Sequence, residues 1–85
     1  MLDPAELKKA IEAALPGSQA QVRDTTGTGD HFEATVISQS FVGKGMVEQH
    51  QMVYAPLQAL IASGALHALA LKTYSPEGWE KVKRT

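Results

Sequence analysis

Leu66-His67-Ala68-Leu69-Ala70-Leu71-Lys72-Thr73 is almost continuously apolar until its last two residues. Such a run reads as a strand covered on one or both faces. Upstream, Met46 to Ala62 has helical spacing. Further upstream, His31-Phe32-Glu33-Ala34-Thr35-Val36-Ile37-Ser38 alternates in the way of a half-buried strand, with Phe32, Ala34 and Val36 on one side. A strand, a helix and a strand within one sheet normally make a right-handed parallel crossover. The spacing therefore predicts that the second and third strands run parallel.

The remaining segments fit around that unit. A shorter strand is expected at 19–24, with Ala20 and Val22 on one side. The glycine-containing stretch 25–30 joins it to the second strand as a hairpin. Before it, Asp3, Pro4 and Glu6 are a helix-start signal. Leu7, Ala10, Ile11, Ala14 and Leu15 form a stripe, and Pro16-Gly17 ends a helix over 3–15. Ser40 to Gly45 reads as a loop. In the long helical stretch, Met46, Val47, Val53, Tyr54, Leu57, Leu60 and Ile61 share one broad face. Pro56 predicts a kink there, or two successive helices. Ser75-Pro76-Glu77 starts a last helix that Trp79 and Val82 can pack down. Gly78 costs that helix about 1 kcal/mol and predicts fraying. The order is helix, strand, strand, broken helix, strand, helix: a small mixed α+β sheet with helices over one face.

Composition bounds the function. The 85 residues leave room for one domain, over residues 1–85. Hydrophobic residues make up 44% and charged residues 20%, ordinary for a folded globule. Eight Lys and Arg against nine Asp and Glu give a net charge of −1, unlike a protein held on nucleic acid or an anionic membrane. There is no cysteine, hence no disulfide, no Cys-based zinc site and no cysteine nucleophile. Any iron–sulfur cluster must take its thiolates from another molecule. With no leader-like N-terminus and no apolar run long enough to span a bilayer, the expectation is a cytoplasmic protein.

Catalytic motifs are missing. No GxSxG, HExxH or EF-hand loop occurs. His31-Phe32-Glu33 has the HxE spacing of zinc deaminases without their PCxxC partner. Gly27-Thr28-Gly29 and Gly43-Lys44-Gly45 lack the spacing of nucleotide-binding loops. The chain is therefore read as not an enzyme. Three histidines remain. His50 falls on the apolar face of its helix and reads as a core residue. His31 and His67 each sit near the start of a strand. If those strands are parallel neighbours, both starts lie at one end of the sheet, with strands only about 4.8 Å apart. A shared metal or cluster then competes with the plainer reading of two surface histidines. The element order also fits a KH module, yet no GxxG loop occurs and the helix from Met46 to Tyr54 carries Glu48 and no Lys or Arg.

Three segments resemble the BolA family, in order: Phe41-Val42-Gly43-Lys44, then Gln49-His50-Gln51-Met52-Val53-Tyr54-Ala55, then Leu66 to Trp79. The resemblance runs from about Leu7 to Trp79. The segment from Thr26 to Phe32 is most similar to the short bacterial, IbaG-like branch. The resemblance implies a class II KH-like fold, α-β-β-α-α-β-α. It implies a partner, a monothiol CGFS-type glutaredoxin, and a [2Fe–2S] cluster shared with it. The glutaredoxin and its bound glutathione would give the thiolates. His67 would give one nitrogen ligand and His31, from the loop between the first strands, the other. The isolated chain would hold no cluster. The implied roles are cluster trafficking and iron-linked regulation. The alternative is a KH-like nucleic-acid-binding transcription regulator, which the acidic Glu48-Gln49-His50-Gln51 stretch weakens. Phe41, Lys44 and His50 are candidate residues of the partner surface.

Overall fold

Asp3 and Pro4 start the first helix as their types suggest. In the computed structural model, which describes residues 3–27, 31–66 and 68–83, helix α1 spans Pro4–Ala14. Asp3 is its N-cap, and the Asp3 carboxylate accepts the Ala5 N–H at 2.8 Å. That satisfies one of the amides that a first turn leaves unpaired.

The three strands are β1 (Gln19–Asp24), β2 (His31–Ile37) and β3 (Ala68–Tyr74), in the order β1-β2-β3. β1 and β2 pair antiparallel, and β2 and β3 pair parallel, as the crossover rule requires. The register Val22↔Ala34↔Leu71 and its neighbours put Ala20, Val22, Phe32, Ala34, Val36, Leu69, Leu71 and Thr73 on one face. Phe32, Ala34 and Val36 are buried there against Leu7, Ile11, Val53 and Leu57 from the helices. The opposite face carries Gln21, Arg23, His31, Glu33, Thr35, Ala68, Ala70 and Lys72. On that face of β3, Ala68, Ala70 and Lys72 are exposed and Tyr74 is half-buried.

The described part of β3 starts at Ala68, and Leu66 heads the apolar run. Leu66 is buried, but its N–H bonds to the Leu60 carbonyl at 3.2 Å, which places it in the connection from the preceding helix. The long helical stretch breaks at the proline, as expected. Helix α2 (Met46–Tyr54) leads through a 3-10 turn at Ala55–Leu57 into α3 (Gln58–Ala62). The single apolar face does not survive that break. Val53 and Leu57 are buried, whereas Met46, Val47 and Ile61 are exposed. One helical wheel assumes one continuous phase. Pro56 resets it, and the first turn of α2 lies beyond the core.

Helix α4 spans Pro76–Lys83. Gly78 sits in the first turn, where its N–H donates to the Ser75 Oγ at 3.1 Å. A Cβ at Gly78 would lie 3.3 Å from that oxygen, so the small residue leaves room for the cap. α4 also modifies the expectation of helices over one face. The Trp79 ring lies 5.5 Å from that of Tyr74, on the opposite side of the sheet from the core. There Trp79 and Ile37 line one cavity of about 370 Å³ with Gln19 and Lys83. Among the described residues, no helix is long and apolar enough to cross a membrane.

Both sheet edges are partly closed by single side chains. In β1, the outward-pointing Ala20 N–H donates to the Glu12 carboxylate at 3.0 Å. In β3, the Ser38 N–H bonds to the Tyr74 carbonyl, so Tyr74 points toward β2. Alternation then turns the backbone groups of Leu69, Leu71 and Thr73 outward. The Leu69 carbonyl accepts the Tyr54 hydroxyl at 2.9 Å. Such caps reduce the exposed pairing groups that make edges adhesive.

Candidate functional site

His31 opens β2 and is paired in register with Ala68, the first residue of β3. The parallel pairing therefore brings the two strand starts to one end of the sheet. His31 shares the outer face with Glu33 and Thr35 and is half-buried. Its backbone is held firmly. Both the N–H and the Oγ1 of Thr25 donate to the His31 carbonyl, at 3.0 and 3.2 Å. The Asp24 carboxylate accepts the N–H groups of Thr26 and Gly27, shaping the turn that leaves β1. Beside His31 on the same face, Arg23 and Glu33 form an ion pair at 3.3 Å, so this patch carries little net charge. Ala68 is small and exposed, which leaves the His31 side of the strand pair open to approach.

His67, the other candidate ligand, lies outside the described residues; it immediately precedes Ala68 in the sequence. Among the described residues, no three His, Cys, Asp or Glu side chains gather to hold a metal ion. A metal at His31 would draw on donors beyond that set.

The candidate partner-surface residues lie elsewhere. α2 runs along β3 from the Thr73 level, where Gln49 contacts the strand, to the Leu69 level, where Tyr54 does. Lys44, just before α2, is therefore at the opposite end of the sheet from His31. Four residues of strand rise about 13 Å, so the two locations are separate. Phe41 is a correction. The residue is 1% exposed and its ring belongs to the core, because the 3-10 turn at Gln39–Phe41 folds it inward. It cannot offer that ring to a partner. Lys44 is exposed but pairs with Glu48 at 3.3 Å. His50 projects from α2, in the helical layer and away from the outer face that carries His31. It is half-buried, with its ring edge-on to Tyr54 at 6.4 Å and its Nε2 buried without a hydrogen-bond partner. His31 and His50 do not form one site.

At the Lys44 end is a polar hub that the sequence reading missed. The loop expected at 40–45 contains a defined turn. Val42 has φ −62° and ψ 128°, Gly43 has φ +78°, and the Lys44 N–H bonds to the Phe41 carbonyl at 3.1 Å. This is a type II turn, whose third position demands a residue at ease with positive φ. The Gln49 amide stitches it to α2, donating to the carbonyls of Phe41 at 3.3 Å and Lys44 at 2.9 Å. Its Oε1 accepts the Thr73 hydroxyl at 2.6 Å. The signal was available: Thr73 follows Leu69 and Leu71 in the inward phase of β3, and a buried hydroxyl needs a partner.

Comparison with known proteins agrees with this architecture. The Escherichia coli acid stress protein IbaG is 30% identical over 79 residues, covering 93% of this chain and 90% of its own. The structure of a BolA homologue from Coxiella burnetii superposes with a TM-score of 0.81 at 36% identity, covering 94% of this chain and 99% of that one. The BolA domain of SufE1 from Arabidopsis thaliana gives a TM-score of 0.75 at 29% identity, over 87% and 92% of the two chains. The family model described as BolA-like protein matches residues 4–78, nearly every element described above. This α+β chain, with its mixed three-stranded sheet, belongs to the BolA-like family.

Proposed function

We propose that this BolA-like chain is a non-enzymatic adaptor in iron–sulfur biology, sharing a [2Fe–2S] cluster with a monothiol glutaredoxin and its bound glutathione. The observation that carries the reading is the register His31↔Ala68. It brings the start of β2 beside the start of β3, one sequence position after His67. The occurrence of a BolA domain in SufE1 supports the link to iron–sulfur chemistry. The residue inventory fits the same division. The chain has no cysteine, so it supplies nitrogen donors and the partner supplies sulfur. Two imidazoles with two thiolates are a known cluster ligand set, as in Rieske centres. In this reading His67 is the principal ligand, and His31 is the second, its backbone fixed by Thr25. Lys44 and the exposed part of the His50 helix, at a distance, serve as accessory partner surface.

The test is a titration of the full chain into cluster-loaded, glutathione-bound monothiol glutaredoxin, followed by visible absorption and circular dichroism. A new spectrum should appear at one chain per glutaredoxin. It should be lost in His67→Ala and altered in His31→Ala, both variants remaining folded. A spectrum unchanged on titration, or insensitive to both substitutions, would sink the assignment.

No observation favours the nucleic-acid reading. The first turn of α2 carries Glu48, and Lys44 is already paired with it.

A further inference from the structure

Met46 combines two features. It is 59% exposed at the first position of α2, and its Sδ lies 3.7 Å from the Oγ1 of Thr73, which is buried. The Thr73 hydroxyl has a single proton. That proton points to the Gln49 Oε1, 2.6 Å away, because the Gln49 Nε2 is already occupied as donor to the Phe41 and Lys44 carbonyls. The thioether is a poor acceptor and does not compete. The sulfur of a largely exposed residue thus rests against the hydroxyl that holds Gln49, and Gln49 holds the Phe41–Lys44 turn.

We propose that Met46 is an oxidation site, and that its sulfoxide releases the Phe41–Lys44 turn by taking the Thr73 proton from Gln49. The oxidant is a peroxide. The Sδ lone pair attacks one peroxide oxygen and the O–O bond breaks. One oxygen remains on sulfur, and the other leaves as water or as the corresponding alcohol. Sulfur is oxidised and the peroxide is reduced. The product replaces a weak acceptor by a strongly polar oxygen at the same place. With the Thr73 hydroxyl turned toward it, the Gln49 Oε1 loses its donor, and the two bonds that tie the turn to α2 lose their anchor. Met52 is the internal comparison: it is half-buried against the core and adjoins no such network.

The experiment treats the full chain with hydrogen peroxide. It follows single-oxygen mass increases by peptide mapping, and amide hydrogen exchange over residues 42–49. Met46 should be oxidised several-fold faster than Met52, and exchange across the turn should accelerate in the oxidised protein. Met46→Leu should keep the slow exchange after peroxide. Met46→Gln, which places a polar oxygen there without oxidant, should show fast exchange from the start. Oxidation of Met52 at the same rate as Met46, or unchanged exchange in both the Met46 sulfoxide and Met46→Gln, would overturn the proposal.

Discussion

Thr73 and Gln49, 24 residues apart in the chain, meet in a 2.6 Å hydrogen bond that ties the last strand to α2. One side chain here answers three needs at once. It satisfies a buried hydroxyl, and it closes two carbonyls of a turn that helix and sheet leave over. Removing Gln49 leaves the Thr73 hydroxyl buried without its partner. The expected cost of Gln49→Ala is about 2 kcal/mol, the range for an orphaned buried polar group plus lost hydrogen bonds. Adding Thr73→Val removes the orphan and should recover part of that loss. Urea denaturation of the four proteins measures it. Strict additivity of the two single effects would mean that the two side chains act independently.

A second prediction concerns the β3 edge. The Tyr54 hydroxyl covers the Leu69 carbonyl at 2.9 Å. Tyr54→Phe keeps the ring against its neighbours and removes only that bond. It should cost about 1 kcal/mol and leave one more pairing group exposed on an apolar strand. Sedimentation at rising concentration should then show more self-association than the parent protein. Unchanged association would mean that the edge is protected by other means.

Phe41 and Lys44 are neighbours in sequence but differ in what they do. Phe41 is a core residue, and truncating it to alanine should cost about 3–5 kcal/mol. In a domain this small, that approaches the whole stability. Lys44→Ala removes only an exposed ion pair with Glu48 and should change stability by about 0.5 kcal/mol or less. Thermal melts distinguish the two readily. Equal, small effects would show that the Phe41 side chain is not part of the core. Partner binding by Phe41→Ala is informative only if that variant is folded.

The same contrast explains what was legible in the sequence. Element order, the parallel crossover and the break at Pro56 were readable, because each rests on local periodicity or on a backbone rule. The apolar phase of β2 likewise marked its buried face. Phe41, Met46 and Val47 were misplaced, because hydrophobicity alone does not say whether a side chain near a turn reaches the core. Of the Gln49 hub, strand phase marked only Thr73 as a buried hydroxyl in need of a partner, and not which partner. The partners of Gln49 come from a turn on one side and from a strand far along the chain on the other, and only the folded arrangement joins them. For the candidate site, the meeting of the two strand starts followed from parallel pairing. The separation of His31 from Lys44 and His50 did not, because it depends on which end of β3 the start of α2 approaches.

Glu12 gives the last prediction. Its carboxylate lies below the usual carboxylate range, chiefly because Lys8 donates to it and further because the Ala20 N–H does. A depressed folded-state pKa means that the ionised form is favoured by folding. The contribution is therefore complete above the ordinary carboxylate value. It is lost as the pH falls through the lower, folded value. Glu12→Gln can keep an acceptor for Ala20 but not the charge facing Lys8. The parent protein should melt at a higher temperature than Glu12→Gln at neutral pH, and the gap should close on acidification through the carboxylate range. Melting curves taken across that range measure the gap directly. A gap that stays constant with pH would assign the role of Glu12 to packing at the β1 edge rather than to its charge.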